Sequence, residues 1–382
     1  MSPSRGPALL APLALREVEL RNRVVISPMQ EYAAGTDGMA HEFHLVHLGR
    51  FALGGAGLVF TEALAVSPEG RLTYSDLGIW DDDHVPPLAR IADFVRGQGA
   101  AVGAQILHAG RKAAVQRPWH GYQPLGDVDV HERGEAPWRR VGPSPIPALP
   151  DWPVPRALEP GDCRRIVDEF AVAARRCRQA DFDILNVHGA HGYLIHSFLS
   201  PLSNRRDDEY GGDRAGRMRL ALEIAEAVRS EWPSERPIFY RLSCIDDLPG
   251  GWQLEDTLVL ASELGRRGID VIDCSSQGLT RRGTPVEPDF QVPYAEAVRR
   301  ETGIPSCAVG LIMDFEHAER IVDSGQADLV ALGREALRNP NWAAQAAVEL
   351  AGPEAYERYW QPRRGWWLVR RATSLARRAA GD

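Results

Sequence analysis

Cysteine is scarce in this sequence, and long apolar runs are absent from it. The five cysteines are widely spaced, and none belongs to a C-x-x-C pair. An odd, unclustered set does not suit a disulfide framework, a zinc site or an iron–sulfur centre, so we expect reduced thiols, no metal and a cytoplasmic protein. We expect no membrane partner, because no uninterrupted apolar run is long enough to span a bilayer. We expect no signal peptide, because prolines interrupt the short apolar patch near the start.

Lysine is scarce as well, and the balance of charge is negative. The formal net charge of −8 argues against nucleic acid as the main partner. The hydrophobic fraction of 44% and the charged fraction of 25% are typical of a globular protein. A (β/α)₈ barrel takes about 250 residues, or more than about 400 with insertions. A length of 382 residues therefore suits one elaborated barrel, although two ordinary domains would also fit.

Short apolar, β-branched segments alternate with helical segments along the chain. Continuous apolar runs suit strands that are buried on both faces, as in a parallel sheet. The predicted strands cover residues 24–29, 57–63, 101–107, 182–188, 237–243, 271–276, 305–310 and 329–334. The predicted helices cover residues 43–54, 84–98, 161–180, 214–231, 254–267, 292–302, 314–324 and 340–350.

Eight strand–helix pairs predict an α/β protein with a single (β/α)₈ (TIM) barrel over residues 1–382. A doubly wound sheet is the structural alternative. It usually carries a glycine-rich loop after its first strand, where this chain has SPMQEY instead.

Three segments lie outside the barrel pattern. We expect residues 1–23 to form an N-terminal plug and residues 351–382 to form a C-terminal extension. Residues 113–160 are rich in proline and tryptophan and form a long excursion after the third strand. Loops at that end of a strand build the site of a barrel enzyme, so we expect the excursion on the catalytic face. A purely structural decoration is the alternative.

Glycine and arginine stand at the ends of the last two predicted strands. The seventh strand ends at Gly310, and the eighth ends at Gly333 and Arg334. Barrels often bind phosphate with these two loops, because glycine lets backbone N–H groups approach the oxygens and arginine adds a charged fork. The pattern predicts a phosphate site, with a tight turn and a surface arginine as the alternative.

The fourth predicted strand ends in residues suited to acid–base chemistry. His188 and His191 lie three positions apart, and Tyr193 follows. Two imidazoles can donate hydrogen bonds to one developing oxyanion, and a phenol can deliver a proton to a carbanion-like centre. The cluster predicts a catalytic site rather than a set of buried structural histidines.

The segment HGAHGYLIHSFLSPLSNRRDDEYGG, which begins at His188, resembles the signature of the Old Yellow Enzyme family of flavoproteins. Further segments agree with that family in order and spacing: LRNRVVISPM, TEALAVSPEGRLTYSDLGIWDDDH, QILHAGRKA, IDCSSQGL, AVGLIMD and ALGREALRNP. The similarity covers nearly the whole chain and is closest to the bacterial branch that includes xenobiotic reductases. It implies bound FMN, reduction by NADPH or NADH, and transfer of hydride to the alkene of an α,β-unsaturated carbonyl or similar small molecule.

The resemblance also implies cofactor contacts. Gln105 would meet the pyrimidine edge of the flavin, and Arg241 would place a cation beside its N1/C2=O region. The full set of implied cofactor residues is Pro28, Met29, Gln30, Ala63, Gln105, Arg241, Gly310, Gly333 and Arg334.

For the substrate, the resemblance implies that His188 and His191 hold the activating oxygen and that Tyr193 is the proton donor. Tyr32 would reach the substrate pocket. Trp367, with Arg358 and Trp366 as alternatives in a different register, would complete it, in some members across a dimer interface. His108 and Lys112 would position the surroundings. We therefore expect a homo-oligomer, although simple packing is the alternative for Tyr32 and a solvated helix end is the alternative around Trp367.

Gln30 departs from the family pattern, because the bacterial branch has a cysteine just after SPM. Glutamine is larger and does not ionise. The substitution suggests an alternative function, in which a specialised pathway enzyme acts as a dehydrogenase or in redox-neutral chemistry. A flavin-free phosphate-binding lyase or isomerase and a non-catalytic flavin protein are further candidates. The scarcity of lysine and the histidine–tyrosine cluster argue against these last two.

Overall fold

The computed structural model describes residues 6–280 and 287–380. Eight parallel strands close into a barrel, in the order β6-β7-β8-β1-β2-β3-β4-β5. Their bounds are β1 Val24–Ile26, β2 Leu58–Ala65, β3 Ala101–Leu107, β4 Ile184–Gly189, β5 Ile238–Ser243, β6 Val271–Ser275, β7 Ser306–Val309 and β8 Leu329–Leu332. The prediction of a (β/α)₈ barrel is confirmed.

Thirteen α-helices accompany the strands within the described ranges. They are α1 Glu42–Leu53, α2 Val85–Gly97, α3 Asp127–Arg133, α4 Pro160–Gln179, α5 Leu194–Leu199, α6 Arg214–Glu231, α7 Leu254–Arg266, α8 Val292–Thr302, α9 Phe315–Asp323, α10 Arg334–Arg338, α11 Trp342–Ala351, α12 Ala355–Tyr359 and α13 Pro362–Ala380. Each predicted strand and helix overlaps an observed one, whereas the short helices α3, α5, α10 and α12 and the 19-residue helix α13 were not predicted. None of the described helices is both long and apolar enough to cross a membrane.

An antiparallel hairpin, Leu13–Leu15 with Val18–Leu20, closes the N-terminal end of the barrel. Leu15 and Leu20 pack into the same buried cluster as Phe60 and Phe239, whose side chains come from β2 and β5. The predicted plug therefore covers an apolar layer inside the barrel that water would otherwise reach. Residues 1–5 of that prediction lie outside the described ranges.

The excursion after β3 lies at the C-terminal end of the strands. It contains α3 and a pair of two-residue parallel strands, Val141–Gly142 and Arg156–Ala157. Arg111, just beyond β3, donates to Pro147 O at 3.1 Å and to Leu279 O at 3.0 Å. One buried cation thus ties the excursion to the loop that follows β6.

The C-terminal helices begin at the opposite end of the barrel. The Tyr359 hydroxyl donates to Leu10 O at 3.0 Å. The Gln361 amide contacts the Gln98 amide, which lies between α2 and the start of β3. Helix α13 therefore starts on the N-terminal face, away from the C-terminal ends of the strands.

Candidate active site

The register of the barrel strands brings polar side chains together at two levels. Ala63 on β2 pairs with Gln105 on β3, which pairs with Asn186 on β4. Two residues further along, His188 pairs with Arg241 on β5. Alternate residues of a barrel strand share a face, so these groups point into the same interior.

Most of the predicted residues line one cavity of about 120 Å³ at this end of the barrel. Its lining is Pro28, Gln30, Ala63, Leu72, Gln105, Leu107, His188, His191, Tyr193 and Arg241. Leu72 and Leu107 were not predicted. They add apolar walls to the polar set, as suits a planar, mostly apolar ring system.

A much larger cavity, about 1340 Å³, lies at the N-terminal face, where Arg23 and Asp328 precede β1 and β8. Barrel enzymes carry their chemistry at the C-terminal face, whereas the N-terminal face serves stability. The smaller cavity is therefore the candidate active site.

His188 and His191 hydrogen-bond to each other rather than standing free. The N–H of Ala190 donates to His188 Nδ1 at 3.2 Å, which leaves the proton of a neutral ring on Nε2. That Nε2 donates to His191 Nδ1 at 3.3 Å, and His191 Nε2 donates to Ser275 Oγ at 2.7 Å. Two histidine donors can meet one substrate oxygen only if the contact between the rings opens.

Burial sets the protonation states of this cluster. It lowers the pKa of His188 and of His191 well below the usual range, and the Arg241 cation adds to the effect. It raises the pKa of Tyr193 well above the usual range, with Tyr122 and Tyr32 as further contributors. The site therefore holds neutral imidazoles beside a protonated phenol, with ring centroids of His188 and Tyr193 5.0 Å apart.

Arg241 has a buried partner that sequence reasoning missed. Its Nη1 lies 3.4 Å from Asp273 Oδ2, and Asn186 Nδ2 donates to the same oxygen at 3.2 Å. Burial raises the pKa of Asp273, although the Arg241 cation opposes this. Asp273 and Ser275 alternate along β6, in the IDCSS segment, and that period of two was the available signal.

Gln30 connects the segment after β1 to strand β2. Its Oε1 accepts the backbone N–H of Ala63 at 2.7 Å, while its Nε2 is buried without a partner among the described residues. A cysteine has no oxygen with which to accept that N–H. The amide thus leaves one donor in the wall of the cavity.

Three buried donors around the cavity share this property. Gln30 Nε2, Gln105 Nε2 and Arg241 Nε have no hydrogen-bond partner within the described ranges. Unsatisfied buried donors are costly, so their grouping indicates a ligand with several acceptors on one edge. The pyrimidine edge of a flavin, with its carbonyl oxygens and ring nitrogens, fits this set.

The predicted phosphate residues lie on adjacent strand ends. Val309 on β7 pairs with Ala331 on β8, which places Gly310 and Gly333 at one edge. Gly310 has φ +122°, and Gly333 precedes α10. A Cβ on Gly333 would lie 3.8 Å from Met29 Sδ, so Met29 borders this edge. Arg334 is exposed beside it.

The remaining substrate candidates lie in different places. Tyr32 has φ +54° and meets the ring of Trp119, from the excursion, edge-on at 5.9 Å. Trp367 is 66% exposed on α13 and lies outside the cavity of its own chain. A pocket role for Trp367 stays a prediction that requires a second subunit. No cluster of three or more His, Cys, Asp or Glu side chains suited to a metal occurs in the described ranges.

A closed parallel barrel with a cavity lined by unpartnered donors at its C-terminal end is the arrangement expected of a flavin-binding (β/α)₈ oxidoreductase. The model of the NADH:flavin oxidoreductase / NADH oxidase family matches residues 8–352. This chain belongs to that family, the Old Yellow Enzyme family, and is an FMN-dependent NAD(P)H oxidoreductase.

Individual relatives agree with the family match. NADPH dehydrogenase of Geobacillus thermodenitrificans (strain NG80-2) is 41% identical over 358 residues, covering 92% of this chain and 98% of that protein. NADPH dehydrogenase of Bacillus subtilis (strain 168) is 39% identical over 357 residues, covering 92% and 99%. The structure of morphinone reductase superposes with a TM-score of 0.75 at 27% identity, covering 91% of each chain.

Proposed function

We propose that this protein is an ene-reductase, which reduces the alkene of an α,β-unsaturated carbonyl or similar activated alkene with NADPH. The observation that carries the proposal is the joint placement of His188, His191 and Tyr193 in the cavity wall beside Gln105 and Arg241. The name NADPH dehydrogenase, shared by the bacterial relatives, supports NADPH over NADH as the reductant.

The residues divide the work between cofactor and substrate. Bound FMN would supply the hydride-transfer chemistry between the nicotinamide and the alkene. Gln30 and Gln105 would hold the flavin edge, and the permanent charge of Arg241 would stabilise negative charge there. Gly310, Gly333 and Arg334 would hold the phosphate.

On the substrate side, the neutral imidazoles would donate to the carbonyl or nitro oxygen once the contact between their rings opens. Tyr193 stays protonated because burial raises its pKa, and it would give its proton to the α-carbon. The apolar side chains of Leu72 and Leu107 would press on the ring system and exclude water.

The visible spectrum of the purified protein tests the proposal. We expect a yellow protein that bleaches with NADPH under anaerobic conditions and recolours with 2-cyclohexenone. Tyr193→Phe should bleach normally and recolour more slowly by roughly a hundredfold, as for a lost general acid. Tyr356→Phe, on α12 at the other face, is the matched control. A colourless protein that FMN cannot reconstitute would contradict the proposal.

A second candidate is a specialised pathway enzyme that runs as a dehydrogenase or in redox-neutral chemistry. The hydrogen bond from Ala63 N–H to Gln30 favours it, because an amide donor now stands where the bacterial branch has a thiol. Gln30→Cys is expected to change the flavin midpoint potential and to raise enone turnover, with Gln345→Cys as a surface control. A parent protein that turns over many simple enones rapidly would exclude this candidate.

We also propose a cytoplasmic location and a homo-oligomeric state for the enzyme. The five cysteines are all free and buried, as suits a reducing cytoplasm. We expect a homo-oligomer with a small-molecule substrate, and light scattering at micromolar concentration measures the mass. A strictly monomeric protein would contradict that expectation.

A further inference from the structure

Helix α13 carries a seven-residue repeat beyond the end of the family match at residue 352. Two arginines open each repeat, followed by a small residue and, three positions later, by leucine. The arginines are Arg363, Arg364, Arg370, Arg371, Arg377 and Arg378. The leucines are Leu368 and Leu375, and the small residues are Gly365, Ala372 and Ala379.

Seven residues are close to two turns of helix, so each set forms a row along α13. The arginine rows lie on one side of the helix, the leucine row borders them, and the small-residue row lies beyond it on the other side. No aspartate or glutamate occurs between Pro362 and Ala380. Six positive charges stand together in a chain whose net charge is −8.

The protein itself uses only the first half of the apolar side. Gly365 is buried against α12, where a Cβ would lie 2.4 Å from Tyr356 O. Leu368 and Ala372 are half-buried. From Thr373 onward every described residue of α13 is exposed, and Leu375 is 48% exposed. The second half of the apolar side and all of the arginines are therefore exposed to solvent.

We propose that α13 binds reversibly to the surface of an anionic phospholipid bilayer. Basic amphipathic helices of low overall hydrophobicity lie in the bilayer interface, where arginines meet anionic headgroups and the apolar side enters the acyl boundary. Trp366, with the Arg370 guanidinium 3.2 Å above its ring, suits that interface. This peripheral contact differs from membrane spanning, and it revises the expectation of no membrane partner.

A second copy of α13 fits less well as the occupant. Arg364 and Arg371 lie one turn before Leu368 and Leu375, so pairing through the leucine row would bring like charges together. Nucleic acid would use the arginines and leave the apolar side unused. The bilayer alone complements both sides.

A bilayer contact through the exposed second half of α13 leaves the active site of the same subunit free. Helix α13 starts at the N-terminal face beside Gln98, and the cavity of His188 and Tyr193 opens at the C-terminal face. We therefore expect the same rate of NADPH oxidation with and without vesicles.

Co-sedimentation of the FMN-loaded full chain with vesicles tests the proposal. We expect binding to vesicles with about 30% phosphatidylglycerol, little binding to pure phosphatidylcholine, and release as salt rises from about 50 to about 500 mM. Arg371→Glu with Arg378→Glu should weaken binding by roughly tenfold or more. Leu375→Gln should weaken it severalfold.

The control makes the same charge change elsewhere. Arg90→Glu with Arg300→Glu alters two side chains that are each 64% exposed, on α2 and α8, and should leave binding intact. Equal binding to pure phosphatidylcholine, or none to anionic vesicles, would overturn the proposal. So would duplex DNA binding without vesicle binding, or a mass in light scattering that depends on Arg371 and Arg378 while vesicles remain unbound. Unchanged binding by the Leu375 variant would overturn insertion of the apolar side.

Discussion

Individual residues in this site are defined by what burial does to their protons. Isolated imidazoles titrate near pH 6.5 and phenols near pH 10. Here burial favours neutral His188 and His191 and a protonated Tyr193. Each group is thus kept in the state that can donate a hydrogen bond or a proton at neutral pH.

The first prediction concerns the pH dependence of alkene reduction. Because the folded pKa of each histidine is depressed and that of the tyrosine is raised, none of the three should titrate between about pH 6 and pH 9. The rate of flavin reoxidation by an enone should be flat across that range, as measured by anaerobic stopped flow. A fall in this rate with an apparent pKa near 6.5, present in the parent and absent in His191→Asn, would contradict the prediction.

Lys112 is the only lysine in the sequence, and it lies at the site. Its Nζ donates to His191 O at 2.8 Å and also contacts Gly278 O. The ammonium lies 5.7 Å from the centre of the Tyr193 ring and helps to lower the pKa of both histidines. A compact ammonium suits two converging carbonyls better than a planar guanidinium does.

Lys112→Arg is therefore expected to retain FMN but to lose roughly tenfold or more in the rate of enone reduction, through a displaced His191. Lys112→Met removes a positive charge and should in addition raise the pKa of both histidines. The loss of rate at acid pH, expected below about pH 6 in the parent, should then begin at a higher pH. Stopped flow over a pH series measures both effects, with Arg300→Met as the surface control. Parent-like rates and an unchanged pH dependence would show that Lys112 has no positioning role.

At the scale of elements, the loop from β4 to α5 is the most constrained part of the site. His191 has φ +60° and Gly192 has φ +73°, conformations that non-glycine residues rarely adopt. Gly192 N–H donates to His196 Nδ1 at 2.7 Å, and His196 Nε2 donates to Asp246 at 2.8 Å. A Cβ at Gly192 would lie 2.4 Å from Gly278 O.

Gly192→Ala should accordingly push the loop that carries His191 and Tyr193 away from the loop after β6. We expect enone reduction to fall by roughly a hundredfold or more while the flavin stays bound. Gly212→Ala is a matched control, since Gly212 has φ +71° with nothing within 4 Å. If the two variants lose activity equally, backbone strain rather than the clash is responsible.

The elements themselves were largely predictable. Strands β3 and β5 match their predicted ranges within one residue, because continuous apolar runs bounded by glycine or proline leave few alternatives. The short helix α10 was missed, since five residues show no helical period. The predicted third strand contains Gln105, whose neighbours on β2 and β4 no local pattern shows.

At the scale of the whole molecule, the N-terminal hairpin completes the barrel. Leu20 is fully buried against the apolar layer from β2 and β5. The hairpin lies at the end opposite the active site. Substitutions in the hairpin should therefore lower the stability of the protein without changing its catalytic rate.

Leu20→Ala is expected to lower the free energy of unfolding by about 2–5 kcal/mol, the usual cost of a buried leucine-to-alanine cavity. Chemical denaturation measures the change, and kcat at low temperature should stay near that of the parent. Leu375→Ala, at a position 48% exposed, should change stability by less than about 0.5 kcal/mol. Equal stability of the two variants would mean that the hairpin does not close the core.

The sequence by itself determined the barrel, the family and most of the cavity wall. Strand periodicity and short motifs such as HGAHGY are local, and local patterns can be read along a single chain. Tertiary structure alone decided that His188 and His191 bond to each other, that Asp273 accompanies Arg241, and that Gln30 accepts the Ala63 N–H. Most of these contacts join strands far apart in sequence, so only the closed barrel and its register could bring their atoms within reach.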